Sequence, residues 1–350
     1  MNLAVPYRLN WAWLCLALGI SILACLCWGA ISITPAQAGH SLLSLFTGES
    51  GPAEQRVLQV LWAIRVPRVL MACLVGMALG LSGACLQGLF RNPVASPGLL
   101  GISAGAGLAA AAYIVLVGPA LAGSWAMLGQ MGLALAGFVG ACAVGLVILR
   151  LGSRGGRTVI AILLLAGVAI QALASAATGI LVYAADEAQL RDITFWSMGS
   201  LGGASWLHIA AMAPFIVLPA LLLPRFGSTL NALSLGEDTA MTLGIQVERA
   251  KLLLFGLSTL AIAAAVAFAG SIGFVGLIVP HIARKLVGPD HRVSLPASAL
   301  LGALLLLLAD TLARTLLAPR EIPIGILTAL LGAPFFLHLL RKLQHQLLAH

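Results

Sequence analysis

Between Arg157 and Asp186 the chain reads Thr158-Val-Ile-Ala-Ile-Leu-Leu-Leu-Ala-Gly-Val-Ala-Ile-Gln-Ala-Leu-Ala-Ser-Ala-Ala-Thr-Gly-Ile-Leu-Val-Tyr-Ala184, without a single charged residue. At ~1.5 Å per helical residue such a run is long enough to cross the ~30 Å hydrocarbon layer of a bilayer. It is too long and too continuously apolar for the alternating ~10-residue strands of a membrane barrel. Lipid offers no partners to the backbone, so a helix, which bonds internally, is the form this stretch dictates. The remainder of the chain repeats the pattern. Of 350 residues, 61% are hydrophobic and 9% charged, against roughly a quarter charged in a soluble domain. Such a composition, with a mean hydropathy of +1.05, excludes a soluble fold.

Breaking the sequence at charges and Gly/Pro clusters gives about ten spans, near 11–32, 64–88, 96–117, 124–149, 158–184, 206–224, 250–268, 272–287, 294–314 and 323–340. The fold class predicted is an all-α polytopic membrane helix bundle, one domain over 1–350. The first apolar run, Trp11 to Ile31, follows Arg8 and precedes Ala36-Gln-Ala38, as a secretory signal would; it is longer than a signal core, and many spans follow it, which favours a retained helix. The eighth span is short and holds Gly270, Gly273, Gly276 and Pro280, so either an ordinary kink or a broken helix is expected there.

With the N-terminus inside, the cytoplasmic segments collect thirteen of the 19 basic residues, from Arg8 and Arg91 through Arg150, Arg154 and Arg157 to Arg341 and Lys342. This asymmetry places both termini in the cytoplasm. It also accounts for the formal charge of +8 without nucleic acid as a partner. The cysteines (Cys15, Cys25, Cys27, Cys73, Cys85, Cys142) all sit in apolar runs, where a thiol acts as a small hydrophobe, and no disulfide or metal spacing stands out. Gly76-x-x-x-Gly80 and Gly101-Ile-Ser-Ala-Gly-Ala-Gly107 set small residues at helical spacing, either for close helix packing or as backbone lining a pathway.

A passage through the membrane needs an energy source. Proton-coupled carriers are expected to hold ionisable groups at mid-membrane depth, yet only Asp310 lies well inside a span, with Arg314 one turn on as a natural intrahelical partner. A phosphate-binding loop needs Gly-Lys-Ser or Gly-Lys-Thr, but Lys251, Lys285 and Lys342 follow Ala250, Arg284 and Arg341. Any ATP hydrolysis therefore belongs to a partner. Ser103 and His281 are the pair an intramembrane hydrolase would use, but nothing in the sequence places them together, and a serine among glycines fits packing better. The most polar interior segment is Asn231 to Lys251. Its Ser234 and Glu237 have capping-box spacing, and Gly244 permits a sharp turn. Two short helices on the cytoplasmic face would offer a knob to a soluble partner, or would merely rest on headgroups.

Several long stretches resemble permease subunits of bacterial ATP-binding cassette importers for iron chelates, haem and cobalamin, the FecCD-type family. They are Arg65-Val-Pro-Arg68, Leu86-Gln-Gly-Leu-Phe-Arg-Asn-Pro-Val-Ala-Ser-Pro-Gly-Leu-Leu-Gly-Ile-Ser103 and Leu235-Gly-Glu-Asp238. Further along come Gly273-Phe-Val-Gly-Leu-Ile-Val-Pro-His281, Asp290-His-Arg292, Glu321-Ile-Pro-Ile-Gly325 and Gly332-Ala-Pro334. The resemblance implies a type II ABC importer permease of ten helices, usually paired with an identical copy. It implies two cytoplasmic ATP-binding subunits that hold ATP and Mg, and a periplasmic substrate-binding protein. The chain itself would bear no catalytic residue, no metal and no cofactor, and would reside in the bacterial inner membrane. It carries the ATPase-coupling role over to the 231–251 loop, at Leu235, Gly236, Glu237, Asp238, Gly244 and Arg249. It carries docking of acidic binding-protein residues over to Arg65, Arg68 and Arg314, for which snorkelling at helix ends is the alternative.

The sequence departs from the cobalamin-importing pattern after Arg157, where Thr-Val-Ile-Ala-Ile replaces a more hydroxyl-rich stretch, and at Arg320, where a small residue is usual. Phe195-Trp-Ser-Met-Gly-Ser-Leu-Gly-Gly203 looks closer to iron-chelate and haem members. The resemblance thus implies import of an iron chelate, haem or ferric siderophore, from periplasm to cytoplasm by alternating access. Cobalamin is the nearest alternative; a passive channel or secondary transporter is the alternative of another class.

Overall fold

The computed structural model describes residues 11–28, 34, 36, 37, 40, 51–118 and 126–348. Arg8, Ala38 and residues 29–32 and 124–125 of the predicted spans lie outside them. The architecture is an all-α bundle. Its helices are α1 (Trp11–Cys27), α2 (Pro52–Val60), α3 (Val66–Phe90), α4 (Ile102–Ala112), α5 (Ala126–Gly152), α6 (Ile160–Ala184) and α7 (Glu187–Met198). They continue as α8 (Trp206–Leu222), α9 (Gly227–Ser234), α10 (Glu237–Thr242), α11 (Val247–Ala269), α12 (Val275–Val287), α13 (His291–Thr315) and α14 (Ile324–Leu348). Every predicted span finds a helix. Six helical stretches, from Glu54–Phe90 to His291–Thr315, are long and apolar enough to cross a membrane, and Ala12–Cys27, Ile102–Val117 and Ile324–His338 are shorter apolar helices. The tenth is α12, whose buried residues include Val275 through Pro280.

The second span is longer than the sequence suggested, because α2 runs through a π-helical turn at Leu61–Arg65 directly into α3. The eighth is a short, continuous helix, Val275–Val287 with Pro280 inside it; the non-helical residues 270–273 connect it to α11, with Gly270 at φ +71° and Phe274 at φ +65°. Two elements were not anticipated. Ser153–Arg154 and Arg157–Thr158 form a small antiparallel hairpin between α5 and α6, and α7 is capped by Asp186, which accepts from the Gln189 amide while Gln189 reaches back to the Asp186 amide. The Ser234–Glu237 capping box does not form. Ser234 sits at the end of α9 and its hydroxyl donates to the Asn231 carbonyl, so Gly236, at φ +121°, is the residue preceding α10.

Helices α3, α11 and α13 form the centre and α5, α6 and α8 the periphery. The α3–α13 contact is backbone on backbone: a Cβ on Gly76 would strike the Gly302 carbonyl, one on Gly80 the Ser298 carbonyl, and one on Gly302 the Gly76 carbonyl. Packing at this distance supplies the dispersion that drives helix association in lipid. The outer face of α6 leaves Leu165, Val168, Leu173, Ile180 and Tyr183 exposed, which water would penalise and a bilayer accommodates.

Candidate functional site

A cavity of about 670 Å³ opens between α4, α6, α7 and the non-helical connection ahead of α12. Its wall carries hydroxyls and an amide from Ser96, Ser103, Gln171, Ser175, Thr178, Ser197 and Ser271, and aromatic faces from Trp196, Phe274 and Phe336; no lining residue is charged. Such a surface offers weak, exchangeable hydrogen bonds and flat apolar contact, and no carboxylate, imidazole or thiol to hold a metal. Among the described residues, no group of three or more His, Cys, Asp or Glu side chains could hold a metal ion. The Gly101–Gly107 stretch serves both alternatives raised for it. A Cβ on Gly105 would strike Val144 of α5, while Ser103, Ala104 and Gly107 line the cavity. His281 is absent from this wall and packs edge-on against Phe335 at 5.7 Å; the Ser103–His281 hydrolase has no support.

Arg65, Arg68 and Arg314 gather at one end of the bundle, where α3 begins and α13 ends. All three are buried, at 4%, 9% and 7% exposure. Arg68 donates from Nε and Nη2 to Asp310 at 2.9–3.1 Å and from Nη1 and Nη2 to Glu321 at 2.8 and 3.0 Å. Arg65 donates to the Leu26 and Cys27 carbonyls, and Arg314 to the Cys25 carbonyl at 2.6 Å. The arginines thus tie α1, α3, α13 and the 316–323 loop together. The intrahelical pairing predicted for Asp310 is secondary: Arg314 Nε stands 3.8 Å from its carboxylate, because the Arg68 fork on the facing helix takes both oxygens. Glu321 is the one half-exposed member. The hydrogen bond from Arg68 holds its carboxyl below the usual carboxylate range, against a smaller opposing effect of burial.

At the opposite end, α9, α10 and the turn into α11 occupy the predicted coupling segment. Gly244 takes φ +81°, the left-handed turn its residue type allows. Leu235, Met241 and Leu243 are exposed, whereas Glu237 is drawn inward to Lys251 Nζ at 2.6 Å. Arg249 bonds Gln246 at 2.7 Å. Nearby, Asn231 and the Arg292 side chain both donate to Asp290; those bonds, Arg292's first, push its carboxyl well below the ordinary range. A groove of about 730 Å³ separates Glu237, Asp238 and Met241 from the hairpin tip at Gly155, Gly156 and Arg157.

Sequence reading missed Gln171, Ser175 and Thr178 as a lining, although their i, i+4, i+7 spacing on an otherwise apolar run is the signal of one helix face. It also missed Lys251, Glu248 and Thr158, whose meeting depends on the unforeseen hairpin.

Residues 17–342 match the model of the FecCD transport family. The chain is 50% identical over 287 residues to the hemin transport system permease protein of Yersinia pestis, covering 81% of this chain and 83% of that one. It is 44% identical to the cobalamin import system permease protein of Halobacterium salinarum (81% and 73% covered). The vitamin B12 import system permease protein of Salmonella paratyphi A is 43% identical (86% and 91% covered). A solved structure described as an inward-facing ABC transporter of metal-chelate type superposes with a TM-score of 0.81 at 34% identity, covering 95% of this chain and 98% of that chain.

Proposed function

The chain belongs to the FecCD transport family, and on that footing we propose that it carries an iron chelate, haem or a ferric siderophore, from periplasm to cytoplasm by alternating access. It is a membrane permease subunit of an ATP-binding cassette importer, and ATP hydrolysis falls to a separate subunit. The observation that carries the cargo class is the cavity wall. Trp196, Phe274 and Phe336 suit a flat macrocycle, and the uncharged hydroxyls let an anionic chelate pass without being held. Its volume lies within the ~300–1,000 Å³ of small-molecule sites. Identity of 50% to a hemin permease supports the same choice. The cobalamin relatives favour the second reading, a corrinoid cargo.

In this reading both termini are cytoplasmic and a second copy of the chain completes the pathway. Two ATPase subunits dock at Leu235, Gly236, Glu237, Asp238, Gly244 and Arg249. ATP shifts the equilibrium only through its different affinity for the two states. Acidic groups of a binding protein dock at Arg65, Arg68 and Arg314, and reach Arg68 by taking the place of the half-exposed Glu321 carboxylate. The test is uptake into proteoliposomes holding the permease and its ATPase, supplied with binding protein loaded with haem, a ferric siderophore or cobalamin. Accumulation of an iron chelate is expected; accumulation of cobalamin alone would replace this reading with the second.

A further inference from the structure

Lys251 is the fifth residue of α11, and its side chain is 2% exposed. An ammonium has three donors and no acceptor, and each donor is used: on the Thr158 carbonyl at 2.9 Å, Glu237 Oε2 at 2.6 Å and Glu248 Oε1 at 3.0 Å. The second Glu248 oxygen accepts the Thr158 amide at 2.7 Å. Thr158 is the last hairpin residue, paired with Ser153 and bonded to it through their hydroxyls at 2.9 Å. One buried cation on α11, held by Glu248 of the same helix, therefore ties α10 through Glu237, 14 residues away, to the α5–α6 hairpin through Thr158, 93 residues away. Beyond the hairpin, α6 carries Gln171, Ser175 and Thr178 into the cavity wall.

We propose that Lys251 is the positioning residue that makes the coupling segment and the α5–α6 hairpin move as one body, so that displacement of α10 reaches the cavity wall through α6. The proposal rests on the reading that the 235–251 segment receives the ATPase. Without the ammonium, Glu237 and Glu248 face each other unneutralised and the Thr158 carbonyl loses its charged partner. The two sides of the groove then separate, and motion of α10 is no longer passed on.

The test places spin labels at Arg154→Cys and Met241→Cys, after replacing the six native cysteines, and measures their separation by pulsed electron paramagnetic resonance. In the isolated chain the distribution is expected to be narrow, and to broaden on Lys251→Met but not on Lys251→Arg. In the assembled importer the distance is expected to hold constant with and without ATP, and to vary with ATP in Lys251→Met, where cargo moved per ATP falls several-fold. Glu248→Gln, which keeps the lysine but removes the charge that accepts from both Lys251 and the Thr158 amide, gives the same change at smaller amplitude and stands in if Lys251→Met does not fold. An unchanged distribution and an unchanged cargo-to-ATP ratio in these variants overturn the proposal. A wild-type complex that moves no cargo in response to ATP sinks the docking reading instead, and the isolated-chain distances still decide whether the lysine forms the link.

Discussion

Arg68 owes its burial to two carboxylates that approach from different places. Asp310 comes from the facing helix and is 2% exposed, while Glu321 comes from the loop beyond it and is half exposed. Removing one partner of a buried pair strands the other, at a cost of about 3–5 kcal/mol. Arg68→Met should therefore destabilise the chain by roughly that much, measured by unfolding from detergent micelles, and Glu321→Gln by far less, since water screens its carboxylate. The acid limb follows with its sign. Glu321 is held below its free value, so its stabilisation is complete above the ordinary glutamate range, roughly 4.3, and is lost as pH falls through it and on through the lower folded value. Wild type should lose more stability than Glu321→Gln over that fall; equal losses would contradict the pairing. Sequence offered Asp310 the near partner, Arg314, because helical spacing is visible in one dimension. Arg68 lies 242 residues away, and only the packing of α3 on α13 brings it there.

That packing sets the scale of the next prediction. Gly302 has no room for a side chain, since its Cβ would meet the Gly76 carbonyl, whereas Gly256 of α11 has open space around it. Overpacking a filled core costs about 1–3 kcal/mol or more, and backbone against backbone has no rotamer with which to escape. Gly302→Leu should thus lower the thermal unfolding midpoint in detergent markedly. Gly256→Ala should leave it level or raise it, by up to the ~1 kcal/mol that alanine gains over glycine in a helix. The helices were legible because each apolar run is long and continuous, and Gly76-x-x-x-Gly80 announced its own close contact. The α5–α6 hairpin was not legible: its strands are two residues each, too short for any alternation to register. Helix α7 escaped for a different reason: Glu187, Gln189, Arg191, Asp192, Thr194 and Ser197 are interspersed among its apolar residues, so no apolar run marks it. The 231–251 segment was found as two short helices, but the residue that begins the second was displaced from Ser234 to Gly236, since capping-box spacing alone does not fix the register.

The molecule as a whole combines an uncharged cavity, an arginine-rich end closed upon itself, and an opposite end whose buried lysine bonds the hairpin that leads into α6. Among the described residues no ionisable group lines the cavity, and ATP hydrolysis belongs to a separate subunit of the importer. The most direct test is uptake of haem or a ferric chelate into proteoliposomes that hold this permease with its ATPase. Uptake is compared with ATP and a collapsed proton gradient, and with a gradient but no ATP. Accumulation in the first condition and none in the second is the predicted result; accumulation that follows the gradient, or that proceeds equally in both, would contradict an ATP-driven importer.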